Sequence, residues 1–216
     1  MLALAIDTSS AAVTAAIVEV SGEAAVWAER VTLNARGHGE MLAPGIAACL
    51  ADAGATPSDL AAIVVGTGPG PFTGLRVGLV TAAVFAQTLG IPAYGVCSLD
   101  AIGDACRDEP ALLVVADARR KEVYWARYAH GVRAGEPSVD RPADVSVDSF
   151  TAVAGQGGEL YDFGVPLRAE RYPSARALVR CAAGRIRAGA PSEVLTPLYL
   201  RRPDAVAPGT AKAVTQ

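Results

Sequence analysis

The sequence predicts an α/β fold of two duplicated lobes, and three observations predict it. Apolar runs of strand length alternate with apolar stretches of helical length, as in βα units wrapped around a sheet. The apolar run Leu2 to Ile6 ends at Asp7, and a second run, Leu112 to Ala116, ends at Asp117. Sliding the halves by 110 residues lays Asp7 on Asp117 and Val13 on Val123, with turns of equal length. Two copies at so long a period describe duplicated domains rather than a solenoid.

The elements follow in order. Leu2 to Ile6, Ala12 to Val20 and Ala25 to Leu33 read as a three-strand meander, with Thr8-Ser9-Ser10 in the first turn. A helix follows from about Gly39 to Ala53, with Leu42, Ile46, Cys49 and Leu50 at helical spacing. Pro44 lies inside it, so the helix starts late or kinks there. Residues 60–66 form a buried strand, 74–89 a helix and Ala93 to Val96 another strand. Ser98 has N-cap chemistry for a short helix to about Arg107.

In the second half, Leu112 to Ala116 is a strand, Ala118 to Lys121 a turn, and Glu122 to Tyr128 a strand. Phe150 to Ala154 followed by GQGG (155–158) echoes Leu60 to Val65 followed by GTGPG. The helix from about Ser174 to Arg187 is expected where 74–89 stands in the first copy. The lobes are therefore drawn at 1–108 and 109–202. The tail 203–216 lacks periodic apolar residues and is expected to be disordered.

Composition excludes several classes. A chain of 216 residues can bury a substantial core. Net charge is −3, charged residues are 19 %, and no basic tract reaches five residues, so unaided electrostatic binding of nucleic acid is not suggested. Cys49, Cys97, Cys106 and Cys181 are scattered without metal-ligand spacing and read as free thiols of a reducing cytosol. The start has no positive segment and meets Asp7 too early for a signal peptide. Val77 to Leu99 runs 23 residues without a charge, but Gly90-Ile-Pro-Ala-Tyr-Gly95 divides it into helix, turn and strand. The reading is a cytoplasmic protein with no membrane partner.

The stretch GTGPGPFTGLRVG (66–78) resembles a phosphate cradle but has the wrong spacing. It lacks the Walker lysine, and G-x-G-x-x-G fails because Pro71 and Thr73 fall where the third glycine belongs. Pro69 and Pro71 also remove N–H donors. Anion binding at the helix start remains the lesser alternative, with Arg76 one turn inside. The helix that follows is apolar nearly all round, so it is covered on both sides. Gly74, Gly78 and Ala82 make a small-residue ridge for close helix approach. Its cover is either a helix of the same chain or a partner subunit; Met41, Gly45 and Ala48 of the 39–53 helix could share the partner surface.

Asp7 and Asp117, at equivalent strand ends, suit a metal–phosphate cleft between lobes. Thr8 and Ser9 could still serve a phosphate, whereas Arg119 and its neighbours put side chains where bare backbone is wanted. Asp117 reads first as a turn residue capping its own backbone. His38 and His130 lie in different lobes, with no H-E-x-x-H or H-x-x-x-H pattern, so no metal centre is expected. No catalytic residue is assigned.

Five stretches in this order carry a resemblance: LAIDTSS (4–10), GTGPGPFTGLRVG (66–78), GIPAYGVCSLDAI (90–102), VVADARRKEVYWA (114–126) and TPLYLR (196–201). Together they resemble the TsaB (YeaZ) family of bacterial tRNA threonylcarbamoyladenosine biosynthesis proteins, over about residues 2–202. Pro71 departs from the family's usual Ser. The resemblance implies an actin/sugar-kinase/Hsp70-type (ASKHA) fold of two ribonuclease-H-like lobes. It implies a non-catalytic scaffold or activator of the complex forming N6-threonylcarbamoyladenosine at position 37 of tRNAs reading ANN codons. The implied partners are a TsaD-type transferase subunit and a TsaE-type ATPase, with a homodimer when alone and tRNA reached through the complex. The first two helices would supply the interface, through His38, Met41, Leu42, Gly45, Ala48, Gly74, Leu75, Gly78 and Ala82. Asp7, Thr8, Ser9, Asp117 and Arg119 would line a vestigial nucleotide cleft, with no resident cofactor beyond weak ATP or ADP binding. The transferase paralog's metal histidines are replaced here by Cys97-Ser98-Leu99-Asp100. The alternatives are a stand-alone kinase or ATPase of this fold and an M22-type glycoprotease.

Overall fold

The computed structural model describes residues 1–34 and 37–201; the tail expected to be disordered lies outside them. The first sheet comprises β1 (Leu2–Asp7), β2 (Ala12–Glu19), β3 (Ala25–Leu33), β4 (Leu60–Gly66) and β5 (Ala93–Val96). Its order is β3-β2-β1-β4-β5, antiparallel across the meander and parallel from β1 through β5. β1 and β4 are near-continuous apolar runs because both faces of the sheet are covered. Helices α1 (His38–Asp52) and α2 (Phe72–Leu89) cover one face, through Leu42, Ile46, Leu75, Leu79 and Ala82.

Pro44 stands inside α1 without ending it. α2 begins two residues before the expected start, with Pro71 as its N-cap and the Leu75 N–H donating to the Pro71 carbonyl at 3.0 Å. It ends at Gly90, whose φ of 66° suits a left-handed C-cap. α2 is long and apolar enough to cross a membrane by length and composition, but here it is a core helix with one face on the sheet.

The second sheet comprises β6 (Leu112–Asp117), β7 (Val123–Ala129), β8 (Val132–Arg133), β9 (Ser138–Asp140) and β10 (Ala152–Ala154). Its order is β10-β6-β7-β8, with β9 also on β7 and β10 parallel to β6. The two copies thus share the β1-β2-β4 and β6-β7-β10 arrangement. Their first turns differ, however. Asp7 pairs with Thr14 but Asp117 with Val123, so the second turn is one residue shorter.

The helices correct the simple duplication. α5 (Ala175–Arg187), started by Ser174, whose hydroxyl accepts the Ala177 N–H at 3.1 Å, does not take the place of α2. It crosses back and covers the far face of the first sheet, burying Leu178, Val179, Ala182 and Ile186 against Ala5, Val18, Val64 and Tyr94. α3 (Ser98–Ala105) makes the reciprocal crossing, packing Leu99 and Ile102 on Leu112, Val114 and Tyr128 of the second sheet. The place beside β10 is taken by the short α4 (Gly157–Leu160). The crossing helices are tied by Arg180, which donates to Asp104 Oδ2 at 2.7 Å.

Candidate functional site

The residues singled out in the sequence converge on the C-terminal end of β1, where Asp7 is 1 % exposed. Its Oδ1 accepts the Ser9 N–H at 2.9 Å and the Ser9 hydroxyl at 2.8 Å. Oδ2 accepts the Ser98 hydroxyl at 2.6 Å, and Ser98 Oγ in turn accepts the Gly68 N–H at 3.2 Å. Ser98 is therefore not an N-cap: α3 has Cys97 in that position with no side-chain cap, because the serine hydroxyl is drawn to Asp7. Burial pushes the Asp7 carboxyl above its ordinary range, opposed by the hydrogen bonds from Ser98 and Ser9 and by the nearby His38.

Thr8 points the opposite way, into α2. Its Oγ1 donates to the Gly74 carbonyl at 2.8 Å and accepts the Gly78 N–H at 3.0 Å. The hydroxyl thus sits between two backbone groups one helical turn apart. Such an approach needs glycine. A Cβ on Gly78 would stand 2.4 Å from Thr8 Oγ1, and one on Gly74 2.9 Å from the Thr8 carbonyl oxygen.

The same holds along the loop. A Cβ on Gly66 would stand 1.8 Å from Asp7 Oδ2, and one on Gly70 2.0 Å from the Ser9 carbonyl oxygen. Gly66, Gly70, Gly74 and Gly78, spaced by four, are four points of contact that clamp Asp7-Thr8-Ser9. The ridge of Gly74, Gly78 and Ala82 accordingly faces inward, not toward a partner, because the helix must approach β1 closely. Leu75 and Leu42 are buried with it. His38 is buried as well, its Nε2 donating to the Ser10 carbonyl at 2.8 Å and its ring beside Gly74. Gly45 turns toward Ala15 and Arg30 of the sheet. Of the expected interface residues, Met41 is exposed and Ala48 half-buried.

Between the lobes, Ser9, Ser10, Pro69, Ser98, Asp117 and Arg119 line a cavity of about 20 Å³, room for about one water. Ser9, Asp117 and Arg119 do meet at the cleft, whereas Asp7 and Thr8 are withdrawn from it. Asp117 caps its own turn: Oδ1 accepts the Arg119 N–H at 2.7 Å and Oδ2 pairs with the Arg119 guanidinium at 3.1 Å. A nucleotide does not fit this cleft, whose acidic groups are spent on the chain's own donors. Among the described residues no group of three His, Cys, Asp or Glu could hold a metal ion.

What the outer face of α2 presents is different. Phe72, Val80 and Val84 are 49 %, 61 % and 55 % exposed, and with Arg76 they form one stripe at intervals of four. Arg76 lies 3.8 Å over the Phe72 ring and donates from Nε to the Tyr199 hydroxyl at 2.9 Å; Tyr199 stacks on Phe72. Beside the stripe a groove of about 1230 Å³ runs between α2, the Ile91–Tyr94 segment and residues 189–197. The 189–197 segment is held to β5 through the Glu193 N–H, which donates to the Ala93 carbonyl at 2.9 Å. The sequence signal for this face was available: residues 72, 76, 80 and 84 lie opposite the glycine ridge on the helical wheel.

Two sheets with parallel β1-β4 and β6-β10 cores, joined by reciprocally crossing helices, define an actin/sugar-kinase/Hsp70-type fold. The TsaD family model, tRNA N6-adenosine threonylcarbamoyltransferase, matches residues 32–177, and the chain belongs to that family, as a TsaB/YeaZ-like member. It is 52 % identical over 202 residues to an uncharacterized protein of Mycobacterium tuberculosis, covering 94 % of this chain and 92 % of that protein. It is 36 % identical to the tRNA threonylcarbamoyladenosine biosynthesis protein TsaB of Bacillus subtilis, over 60 % of this chain and 56 % of that one. A Pseudomonas aeruginosa structure described as similar to the peptidase YeaZ superposes with a TM-score of 0.78 at 29 % identity, covering 93 % of this chain and 99 % of that one.

Proposed function

We propose that the chain is a non-catalytic scaffold or activator of the complex forming N6-threonylcarbamoyladenosine at position 37 of tRNAs reading ANN codons, supporting threonylcarbamoyl transfer by a TsaD-type subunit. One observation carries the reading: both oxygens of Asp7, the carboxylate best placed for metal–phosphate chemistry, are engaged by Ser9 and Ser98 inside the chain. A group so engaged contributes to folding, and the chain is left with surface to offer. The exposed stripe Phe72, Arg76, Val80 and Val84, with Met41 and Ala48 on the neighbouring helix, has the aromatic, aliphatic and Arg composition of an interface core. The TsaD-type subunit docks there, the same face pairs two copies when the chain is alone, and a TsaE-type ATPase acts on the assembled complex. tRNA is reached through that complex, in the cytoplasm.

The test is reconstitution of tRNA modification with and without the chain, alongside a Val84→Arg variant. The substitution is solvent-exposed and leaves the fold intact, measured by circular dichroism. Modification should require the chain, and the variant should lose both co-purification with the transferase subunit and stimulation. Equal modification without the chain, or undiminished co-purification of the folded variant, refutes the reading.

A further inference from the structure

The edges of the two sheets are not protected alike. At one edge of the first sheet, β5 is capped by the 189–197 segment and by α5. The Ala93 N–H donates to Ser192 Oγ at 3.0 Å, the Gly95 N–H to the Glu193 carboxylate at 3.0 Å, and Arg185 to the Gly95 carbonyl at 3.0 Å. In the second sheet, β10 is capped at Val153, whose N–H donates to the Pro166 carbonyl at 2.9 Å and whose carbonyl accepts the Arg168 N–H at 2.8 Å. β8 and β9 are too short to template a strand. β3 has no such cover. It is nine residues long, lies at the other edge of the first sheet, and pairs with β2 alone among the described residues.

The register of β3 fixes which main-chain groups are open. Ala28 lies opposite Ile17 and Leu33 opposite Ala12 without interruption, and the Asn34 N–H donates to the Ala11 carbonyl at 2.9 Å. Even-numbered residues therefore turn their N–H and C=O groups to β2, and Glu29, Val31 and Leu33 turn theirs outward. Of these outward groups, only the Glu29 carbonyl finds a partner among the described residues, the Arg30 guanidinium at 3.0 Å. The side chains match the opening. Glu29, Val31 and Leu33 stand on one face, opposite Ala16, Thr14 and Ala12. Val31, Leu33 and the bulged Trp27 are each at least half exposed. Glu29 is exposed and has no ion-pair partner among the described residues, whereas Arg30 is paired with Asp52. An edge this long and apolar is ordinarily blunted by charge, proline or a covering segment.

A second copy is a poor occupant. Two copies joined antiparallel into one sheet share a twofold axis at a residue. At Glu29 or Arg30, mid-strand, that axis sets like charges opposite each other; at Val31 it leaves Glu29 facing Leu33. We propose that β3 takes up an extended segment of another protein by strand addition, with a lysine or arginine beside Glu29 and apolar residues beside Val31 and Leu33. Main-chain bonds supply the attachment, and the unpaired carboxylate selects the cation. α1, which packs on β2 and β3, stands between this edge and α2, so the surface is independent of the function proposed above.

The probe is a blocked peptide, Thr-Val-Thr-Val-Thr-Lys-Thr, which in antiparallel pairing sets its lysine beside Glu29 and its valines beside Val31 and Leu33. Added to the full chain, it should slow amide hydrogen exchange at Glu29, Val31 and Leu33, read residue by residue by NMR. Exchange at Ala28, Arg30 and Thr32, already bonded to β2, should stay unchanged. Glu29→Lys alters an exposed, unpaired side chain and keeps the fold. It should bind the peptide about fivefold or more weakly, and prefer a peptide with glutamate in place of lysine. N-methylation of both valines should abolish the protection. No saturable protection in the parent, equal affinity of parent and variant for the lysine peptide, or undiminished protection by the N-methylated peptide overturns the proposal. So does loss of a parent dimer in Glu29→Lys, measured by sedimentation, which would assign the edge to a second copy.

Discussion

Gly78→Ala should destabilise this protein, although the same change in an ordinary helix stabilises by about 1 kcal/mol through backbone entropy. The added Cβ would stand 2.4 Å from Thr8 Oγ1, 3.5 Å from Thr8 Cβ and 3.5 Å from Ile6 Cγ2. Thr8 is 1 % exposed and cannot swing away without losing its two hydrogen bonds to the Gly74 carbonyl and the Gly78 N–H. Overpacking of a tight core costs about 1 to 3 kcal/mol, and each lost hydrogen bond about 1 kcal/mol. Subtracting the propensity gain leaves a net loss of roughly 2 to 4 kcal/mol. For a domain of this size that lowers Tm by about 4 to 16 °C. Urea and thermal unfolding followed by circular dichroism measure it. The double variant Thr8→Ala/Gly78→Ala should recover most of the loss, because removing the hydroxyl opens room for the added methyl. A raised or unchanged Tm for Gly78→Ala alone would show that the clamp does not limit the packing.

Asp7→Asn tests the buried carboxyl through its pH dependence. Burial raises the folded-state pKa above the ordinary 3.8, so the folded form holds the proton more tightly than the unfolded form. The stability this provides is fully present below 3.8 and is lost as pH rises through the folded pKa. The stability difference, parent minus Asn variant, should therefore fall with rising pH across that window in paired urea titrations; a rising difference contradicts it. The cysteines should be unreactive in the native state. Burial pushes Cys97, Cys106 and Cys181 up to about 12 and raises Cys49 as well, leaving almost no thiolate at mildly alkaline pH. A chromogenic disulfide reagent should label none rapidly before denaturant and all four after it, and fast labelling of the native protein would contradict the burial.

Much of the strand order was legible because parallel strands covered on both faces must be apolar throughout. Leu60 to Val65 and Leu112 to Val115 therefore announce themselves, and the carboxylates at their neighbours' ends mark where the sheet meets the cleft. β8 and β9 left no such trace: they are two and three residues long and are held by backbone pairing to β7. The exchange of α3 and α5 was illegible for another reason. An amphipathic pattern states that one face is buried, but Leu178 and Val179 would bury equally well on either sheet, and short-range pattern carries no information about which one is near.

The glycine spacing shows the division most clearly. By itself, the sequence determined that Gly74, Gly78 and Ala82 allow close approach, that standard phosphate loops are excluded, and that α2 is apolar around most of its circumference. Only the tertiary structure decided what approaches. Thr8 inserts its hydroxyl between Gly74 and Gly78, so the small ridge turns inward and the valines at 80 and 84 turn to solvent. The direction of a helix face depends on how far its backbone can approach β1, and that distance is set by contacts between residues about seventy positions apart. No local window of the sequence contains them.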